Sequence, residues 1–343
     1  MKKSIIITTI FNPTEAIKCF AKMDGFQLIV IGDKKTPKDW QHENVEFYSI
    51  EDQDKMSFKL CKHLPLNHYC RKMLGYLKAI QNDADFIVDT DDDNIPKENW
   101  HFPVFENNFH CIKENNGFVN IYQLYTDKKI WPRGLPLNLI SKQFDLENLL
   151  ENSDIKVGIW QGLADEDPDV DAIYRLTDDT PCYFDERKPV VLKKGTLSPF
   201  NSQNTMIRKE LFPLLYLPCY VTFRFTDILR SLVAQPIMWL YDYHLGFTNA
   251  TVIQKRNPHD YLKDFISEIP AYKHTEEVVH LVSKVISSSE TIESNLYNAY
   301  MALEKKNIVN EKELQTLEAW LMDIKSLQQG FSEQKHPVQQ FNL

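Results

Sequence analysis

Three aspartates, Asp91, Asp92 and Asp93, follow the run Phe86-Ile-Val-Asp-Thr90 and are closed off by Asn94-Ile-Pro96. Carboxylates this close repel one another unless water or a divalent cation lies among them. If the chain stays extended, Asp89, Asp91 and Asp93 share one face and Asp92 takes the other, because strand side chains alternate. An EF-hand loop is excluded: counting from Asp89, Asn94 stands where glycine is needed and Trp100 where a bidentate Glu is needed. A hard ion, Mn²⁺ or Mg²⁺, fits better, held by Asp91 and Asp93 and completed by substrate phosphates. Asp89 lies further back in the strand, and Asp92, on the other face, is left to hold the turn.

Other residues offer complementary chemistry. Arg133 sits in Trp131-Pro-Arg-Gly-Leu-Pro136, where a bracketed guanidinium can clamp a diphosphate bidentately. Arg71 and Lys72 open a helix near the same edge and can meet phosphate. Asp167, Asp169 and Asp171 can hydrogen-bond ligand hydroxyls, and Trp160 offers a stacking face.

These residues need a scaffold. Ser4–Ile10 is a β-branched run of the kind buried on both faces of a sheet. A helix follows, with Asn12 as cap, Pro13 in its first turn and Glu15 at the capping-box position. Strands are expected at Phe26–Ile31 and Val45–Ile50, a helix over Asn67–Gln81, then the strand Phe86–Thr90. This alternation predicts a mainly parallel sheet flanked by helices, with ligands outside the carboxyl ends of its strands. Thr8, Thr9, Asp33 and the acidic cluster all lie at such ends. Further on, Phe118–Leu124 and Val157–Gly162 read as strands. Lys209–Leu215 and Thr226–Trp239 read as helices, the latter kinked or ended by Pro236. Thr275–Glu304 and Glu311–Gln328 are charged, amphipathic helices, so we expect a division into residues 1–270 and a helical region, 271–343. These last helices offer a packing surface for a partner or a second copy of the chain.

The chain has 343 residues, 43% of them hydrophobic and 12% aromatic, enough for a large core. A formal net charge of −9 argues against nonspecific nucleic-acid binding. Six scattered cysteines without a CxxC pair, and no signal-like or membrane-spanning run, lead us to expect a cytoplasmic protein with reduced thiols.

Asp-x-Asp at the end of an internal strand, in a chain that opens with an α/β pattern, resembles nucleotide-sugar glycosyltransferases of the GT-A fold. Asp91-Asp-Asp-Asn-Ile-Pro96, Trp131-Pro-Arg-Gly-Leu-Pro136, Gly158-Ile-Trp-Gln161, Asp167-Pro-Asp-Val-Asp-Ala172, Lys194-Gly-Thr-Leu-Ser-Pro-Phe-Asn201 and Phe225-Thr-Asp-Ile-Leu-Arg230 occur in the order seen in two groups. One is the STELLO family of glycosyltransferases. The other is the reversibly glycosylated polypeptides, which are UDP-arabinopyranose mutases. The resemblance runs over about residues 4–270 and leaves the C-terminal helices outside. It implies a GT-A-like fold and a metal-dependent transferase with a UDP-sugar donor and a glycan or other hydroxyl acceptor. Thr8 and Thr9 would contact the nucleotide, Asp33 the base, and Asp91 to Asp93 the metal and ribose-diphosphate. Asp227 would be the general base, oriented by Arg224 and Arg230, which can also bind phosphate, and Asn201 joins the substrate-binding residues. Arg133 matches the arginine that becomes glycosylated in the mutases, which makes a UDP-sugar mutase the alternative enzyme. A catalytically silent scaffold is the alternative outside enzymes. Many GT-A enzymes carry a late histidine as a further metal ligand; that of the mutases has no counterpart here, where the corresponding stretch reads Val252-Ile-Gln254, and the resemblance leaves His259, in Arg256-Asn-Pro-His-Asp260, as the nearest candidate ligand.

Overall fold

The computed structural model describes residues 1–178, 180–256 and 260–335. Its first strands are β1 (Lys3–Thr9), β2 (Phe26–Gly32), β3 (Val45–Tyr48), β4 (Phe86–Thr90), β5 (Asn94–Pro96) and β6 (Glu106–Ile112). They are followed by β7 (Gly117–Phe118), β8 (Leu150–Glu166), β9 (Val190–Leu192), β10 (Thr196–Leu197), β11 (Asn204–Arg208) and β12 (His244–Gln254). The helices are α1 (Glu15–Phe20), α2 (Ile50–Asp54), α3 (Lys72–Gln81), α4 (Ala172–Thr177), α5 (Thr226–Trp239), α6 (Tyr261–Val285), α7 (Ile292–Glu304) and α8 (Glu311–Lys335).

The α/β class read from the sequence is the one observed. One sheet runs in the order β3-β2-β1-β4-β11-β8-β6-β9-β12-β5. The block β3-β2-β1-β4 is wholly parallel, with Thr9 opposite Gly32 in register. This alignment brings the carboxyl ends of β1 and β2 to one edge. Ile5, Ile6 and Ile7 are buried because helices cover both faces, each contributing on the order of 2–3 kcal/mol. Beyond β4 the sheet turns mixed. β11 runs antiparallel to both β4 and β8, and the 17-residue β8 pairs first with β6 and then with β12. On one face α3 lies directly on the sheet: a Cβ on Gly75 would stand 2.5 Å from Ile6 Cγ2.

Several local expectations are corrected. Thr14, not Asn12, caps α1, accepting from Ile17 N at 3.3 Å. Helix α3 starts at Lys72, because Tyr69–Arg71 forms a separate 3₁₀ turn. The strand expected at 118–124 stops at Phe118 and gives way to a 3₁₀ turn, Ile121–Leu124, and Lys209–Leu215 is also 3₁₀. Pro236 stays inside α5, which continues to Trp239.

Residue 270 is not a boundary. Pro270 lies within α6, and Ala271, Val278, Leu296, Tyr300, Leu317 and Trp320 belong to the same core cluster as Ile6, Leu74 and Ile228. Three buried carboxylates tie the C-terminal helices to earlier loops. Glu268 accepts from Ala172 N, Glu313 from Cys219 N and Tyr220 N, and Asp323 from Lys59 N and Leu60 N. Among the described residues no helix is long and apolar enough to cross a membrane, and all six cysteines are free thiols.

Candidate active site

The parallel block ends over a cleft of about 480 Å³. Its near wall comes from the ends of β1 and β2 and the turn before α3, with Thr8, Thr9, Phe11, Asp33, Lys35, His68 and Tyr69. The floor is Asp91, Asp92 and Asp93. The far wall carries Arg133, Asp169, Ser202, Gln203, Phe223, Arg224, Asp227, Gln254 and Arg256. Among the described residues the helices α7 and α8 support the cleft without lining it.

The extended chain ends at Thr90, so strict alternation does not carry through the acidic cluster. A turn intervenes, with Asn94 N 3.4 Å from Asp91 O. Asp89 stays behind in the core, paired with Lys72 at 2.9 Å and Arg230 at 2.8 Å. Lys72 also bonds Asp91 Oδ1 at 2.7 Å and Thr90 O at 2.8 Å. Burial opposes its charge, yet Asp89 and Asp91 hold the Lys72 ammonium above its ordinary range. Lys72 and Arg230 are therefore buried braces beneath the cleft, corrected from the phosphate-contacting roles expected of them. Burial removes water that would stabilise charge, and it pushes Asp91 up to about 7, with Asp93 adding to the rise and Lys72 opposing it. Asp92 rises to about 6 for the same first cause, and its Oδ2 accepts from Thr9 Oγ1 at 2.5 Å. Asp93 is also raised by burial and by Asp92.

These residues fit a hard divalent cation. Asp93 Oδ1 is buried without a hydrogen-bond partner, and Asp91 and Asp93 supply only oxygen ligands. Among the described residues no group of three or more His, Cys, Asp or Glu side chains is arranged to hold a metal. An ion here would thus take further ligands from substrate and water. His259 lies outside the described residues. Gln254 bonds Asp93 Oδ2 at 3.2 Å and is itself bonded by Gln203.

The far wall is built round Arg133. Gly134 adopts φ +90°, and a Cβ there would stand 2.5 Å from Ile228 Cγ2, so the loop presses onto α5. Arg133 donates Nε and Nη2 to the two oxygens of Asp169, both at 2.8 Å. Nη2 also meets Asp227 Oδ2 at 2.9 Å, and Nη1 donates to Asp227 Oδ1 at 3.0 Å and to Arg224 O. Every nitrogen of the guanidinium is therefore engaged. Asp227 further accepts from Ser202 N at 3.2 Å and Tyr69 Oη at 3.3 Å. Burial alone would raise Asp227, but Arg133, then Arg230 and Arg224, bring it down to about 2. A carboxylate that acidic is a weak proton acceptor at neutral pH. Asp227 is thereby held ionised against the arginines, and every guanidinium nitrogen of Arg133 is occupied within the wall.

Three further expectations change. Trp160 is fully buried on the α1 side of the sheet, against Phe109 and with its Nε1 on Val104 O, so it offers no stacking face. Asp171 caps α4 through Tyr174 N and holds Trp131 Nε1 at 2.7 Å; burial pushes it up to about 6. Asn201 is buried and organises its own loop, bonding Gln203 N and Gln161. Asp33 does reach the cleft, but its oxygens accept from Lys34, Asn67 and His68 backbone N–H groups.

The sequence reading missed His68, Tyr69, Ser202, Gln203, Phe223, Gln254 and Arg256. Ser202 and Gln203 lie in the polar loop before β11, and Arg256 in the motif that contains His259, so a signal was present for those three. Nothing in the sequence marks Phe223, half-exposed and edge-on to Tyr69 at 4.8 Å.

Comparison with known proteins shows what the chain is similar to. A model of the STELLO glycosyltransferases matches residues 224–338. Probable glycosyltransferase STELLO1 of Arabidopsis thaliana is 27% identical over 94% of this chain, and STELLO2 of the same plant is equally similar. The chain spans 44% of the length of these relatives. The resemblance to the STELLO family is borne out along nearly the whole chain, and the C-terminal helices, expected outside it, lie inside. Glucosyl-3-phosphoglycerate synthase of Mycobacterium tuberculosis in complex with phosphoglyceric acid matches with a TM-score of 0.39 and 13% identity, covering 79% of each chain. The same enzyme in complex with Mn²⁺ and UDP-glucose gives a TM-score of 0.38 and 13% identity, covering 83% of this chain and 80% of that one.

Proposed function

From a chain similar to the STELLO glycosyltransferases along nearly its whole length, we propose a metal-dependent glycosyltransferase that takes a nucleoside-diphosphate sugar, UDP-sugar first, and passes the sugar to a hydroxyl acceptor. The observation that carries this reading is the convergence of strand ends β1, β2 and β4 on one cleft, with Asp93 Oδ1 buried and unpartnered on its floor. Thr8, Thr9 and Asp33 stand on the nucleoside side. Asp91 and Asp93 would hold Mn²⁺ or Mg²⁺, which when bound offsets charge on the departing diphosphate. Asp92, fixed by Thr9, faces the ribose side. On the sugar side, Arg133, Asp169 and Asp227 form a rigid wall, and Phe223 and Tyr69 give a ring surface at the mouth.

Titration calorimetry with UDP tests this. We expect Mn²⁺ to strengthen UDP binding at least tenfold in the wild type, and Asp93→Asn to remove most of that gain while leaving metal-free binding unchanged. Absence of UDP binding with or without metal would overturn the reading. The mutase alternative requires a nucleophile on the protein, and Arg133 is fully engaged; incubation with UDP-sugar alone should yield no new ring isomer.

A further inference from the structure

Three arginines line the far side of the cleft, with a fourth, Arg175, near them, and they are not alike. Arg133 is saturated by Asp169, Asp227 and Arg224 O. Arg224 bonds Glu268 at 2.8 Å and Val170 O at 3.2 Å. Arg175 bonds Pro168 O at 2.8 Å and pairs with Asp167. Arg256 differs. Its side chain is only 8% exposed, yet it lines the cleft, and its nearest carboxylate oxygens are Asp167 at 3.8 Å and Asp264 at 3.9 Å. Neither is within hydrogen-bonding distance, and among the described residues it has no closer acceptor. A guanidinium so little exposed needs hydrogen-bond partners, and the open side of Arg256 is the cleft, where a ligand can supply them.

The position of Arg256 says what that ligand is. It follows β12, where Lys255 N bonds Asp93 O at 3.1 Å and Gln254 Nε2 bonds Asp93 Oδ2 at 3.2 Å. Arg256 therefore stands beside the carboxylate floor, across from Thr8, Thr9 and Asp33. A planar fork of donors matches phosphate oxygens bidentately. We propose that Arg256 is a phosphate-binding residue of the cleft, gripping the diphosphate of the donor whether or not a metal is present. Arg224, held by Glu268 and lining the same cleft, adds positive charge to this side.

This inference rests on the cleft taking a nucleoside diphosphate, and its test separates the two claims. UDP, uridine and a hexose 1-phosphate are titrated in EDTA into wild type, Arg256→Gln and Arg256→Lys, with thermal unfolding recorded for each. We expect wild type to bind UDP without metal. Arg256→Gln should weaken UDP about tenfold or more, leave uridine unchanged and flatten the salt dependence, and Arg256→Lys should recover part of the loss. Equal UDP affinity in wild type and Arg256→Gln, at unchanged unfolding temperature, overturns the assignment. So does parallel loss of uridine binding, which would mark local collapse. A loss confined to the hexose phosphate would place the phosphate on an acceptor and likewise overturn it. Wild type that binds no UDP under any condition overturns the donor reading itself.

Discussion

Asp227 and Arg133 show how a charged pair in a cleft can be structural and still govern chemistry. Asp227 is depressed from 3.8 to about 2, with burial opposing and Arg133 the largest favourable partner. A depressed carboxylate contributes stability that is fully present above its unfolded pKa and lost as pH falls through its folded pKa. For Asp227 that window runs from about 4 down to about 2. It follows that no limb of a pH–rate profile between pH 5 and 8 belongs to it. Asp227→Asn should lower stability by about 1–3 kcal/mol, because Asp169 still pairs with Arg133. Transfer should fall with it, while the acidic limb of the profile stays where it is. An acidic limb that disappears in the variant would restore the general base.

At the scale of elements, the parallel block was legible and the mixed half was not. Runs such as Ile5-Ile-Ile7 and Phe86-Ile-Val88 declare doubly buried strands, and their ends located Thr9 and the acidic turn. The antiparallel pairing of β11 with β4 and β8 depends on contacts over long chain separations, such as Thr90 Oγ1 on Gln203 O, which leave no periodic trace. Charge misled in a definite way. Lys72 and Arg230 look like ligand-facing residues in sequence, yet Asp89 neutralises both inside the core. Trp160 misled because an aromatic in an alternating strand faces either side, and here it faces the α1 layer. The loop holding Arg133 gives a prediction at this scale. Gly134→Ala adds a Cβ into Ile228 at a positive φ, so we expect a loss of about 1–3 kcal/mol in chemical denaturation and a displaced Arg133. Unchanged stability would show that α5 yields to the loop.

Across the whole molecule, the C-terminal helices hold the rim of the cleft in shape. Glu313 on α8 accepts from Cys219 N at 3.0 Å and Tyr220 N at 2.6 Å, just before Phe223 and Arg224. Asp323 accepts from Lys59 N and Leu60 N, both at 2.9 Å, ahead of His68 and Tyr69. Removing a buried acceptor from two backbone donors costs about 1–3 kcal/mol. Glu313→Ala is expected to lower the unfolding temperature and also to weaken UDP binding, although Glu313 lines no part of the cleft. Calorimetry on the variant below its unfolding temperature checks this. Full nucleotide affinity would reduce the helix to a stabilising role.

The link between Lys59 and Asp323 spans 264 positions, and that distance is also an interval of time. A ribosome adding about 5–20 residues per second leaves roughly 10–50 s between the emergence of the first loop and of the carboxylate that fixes it. During that interval the strands of β1, β2 and β4 can already pair, but the rim of the cleft is unset. On the proposed function, donor binding that depends on this rim waits until α8 has been synthesised.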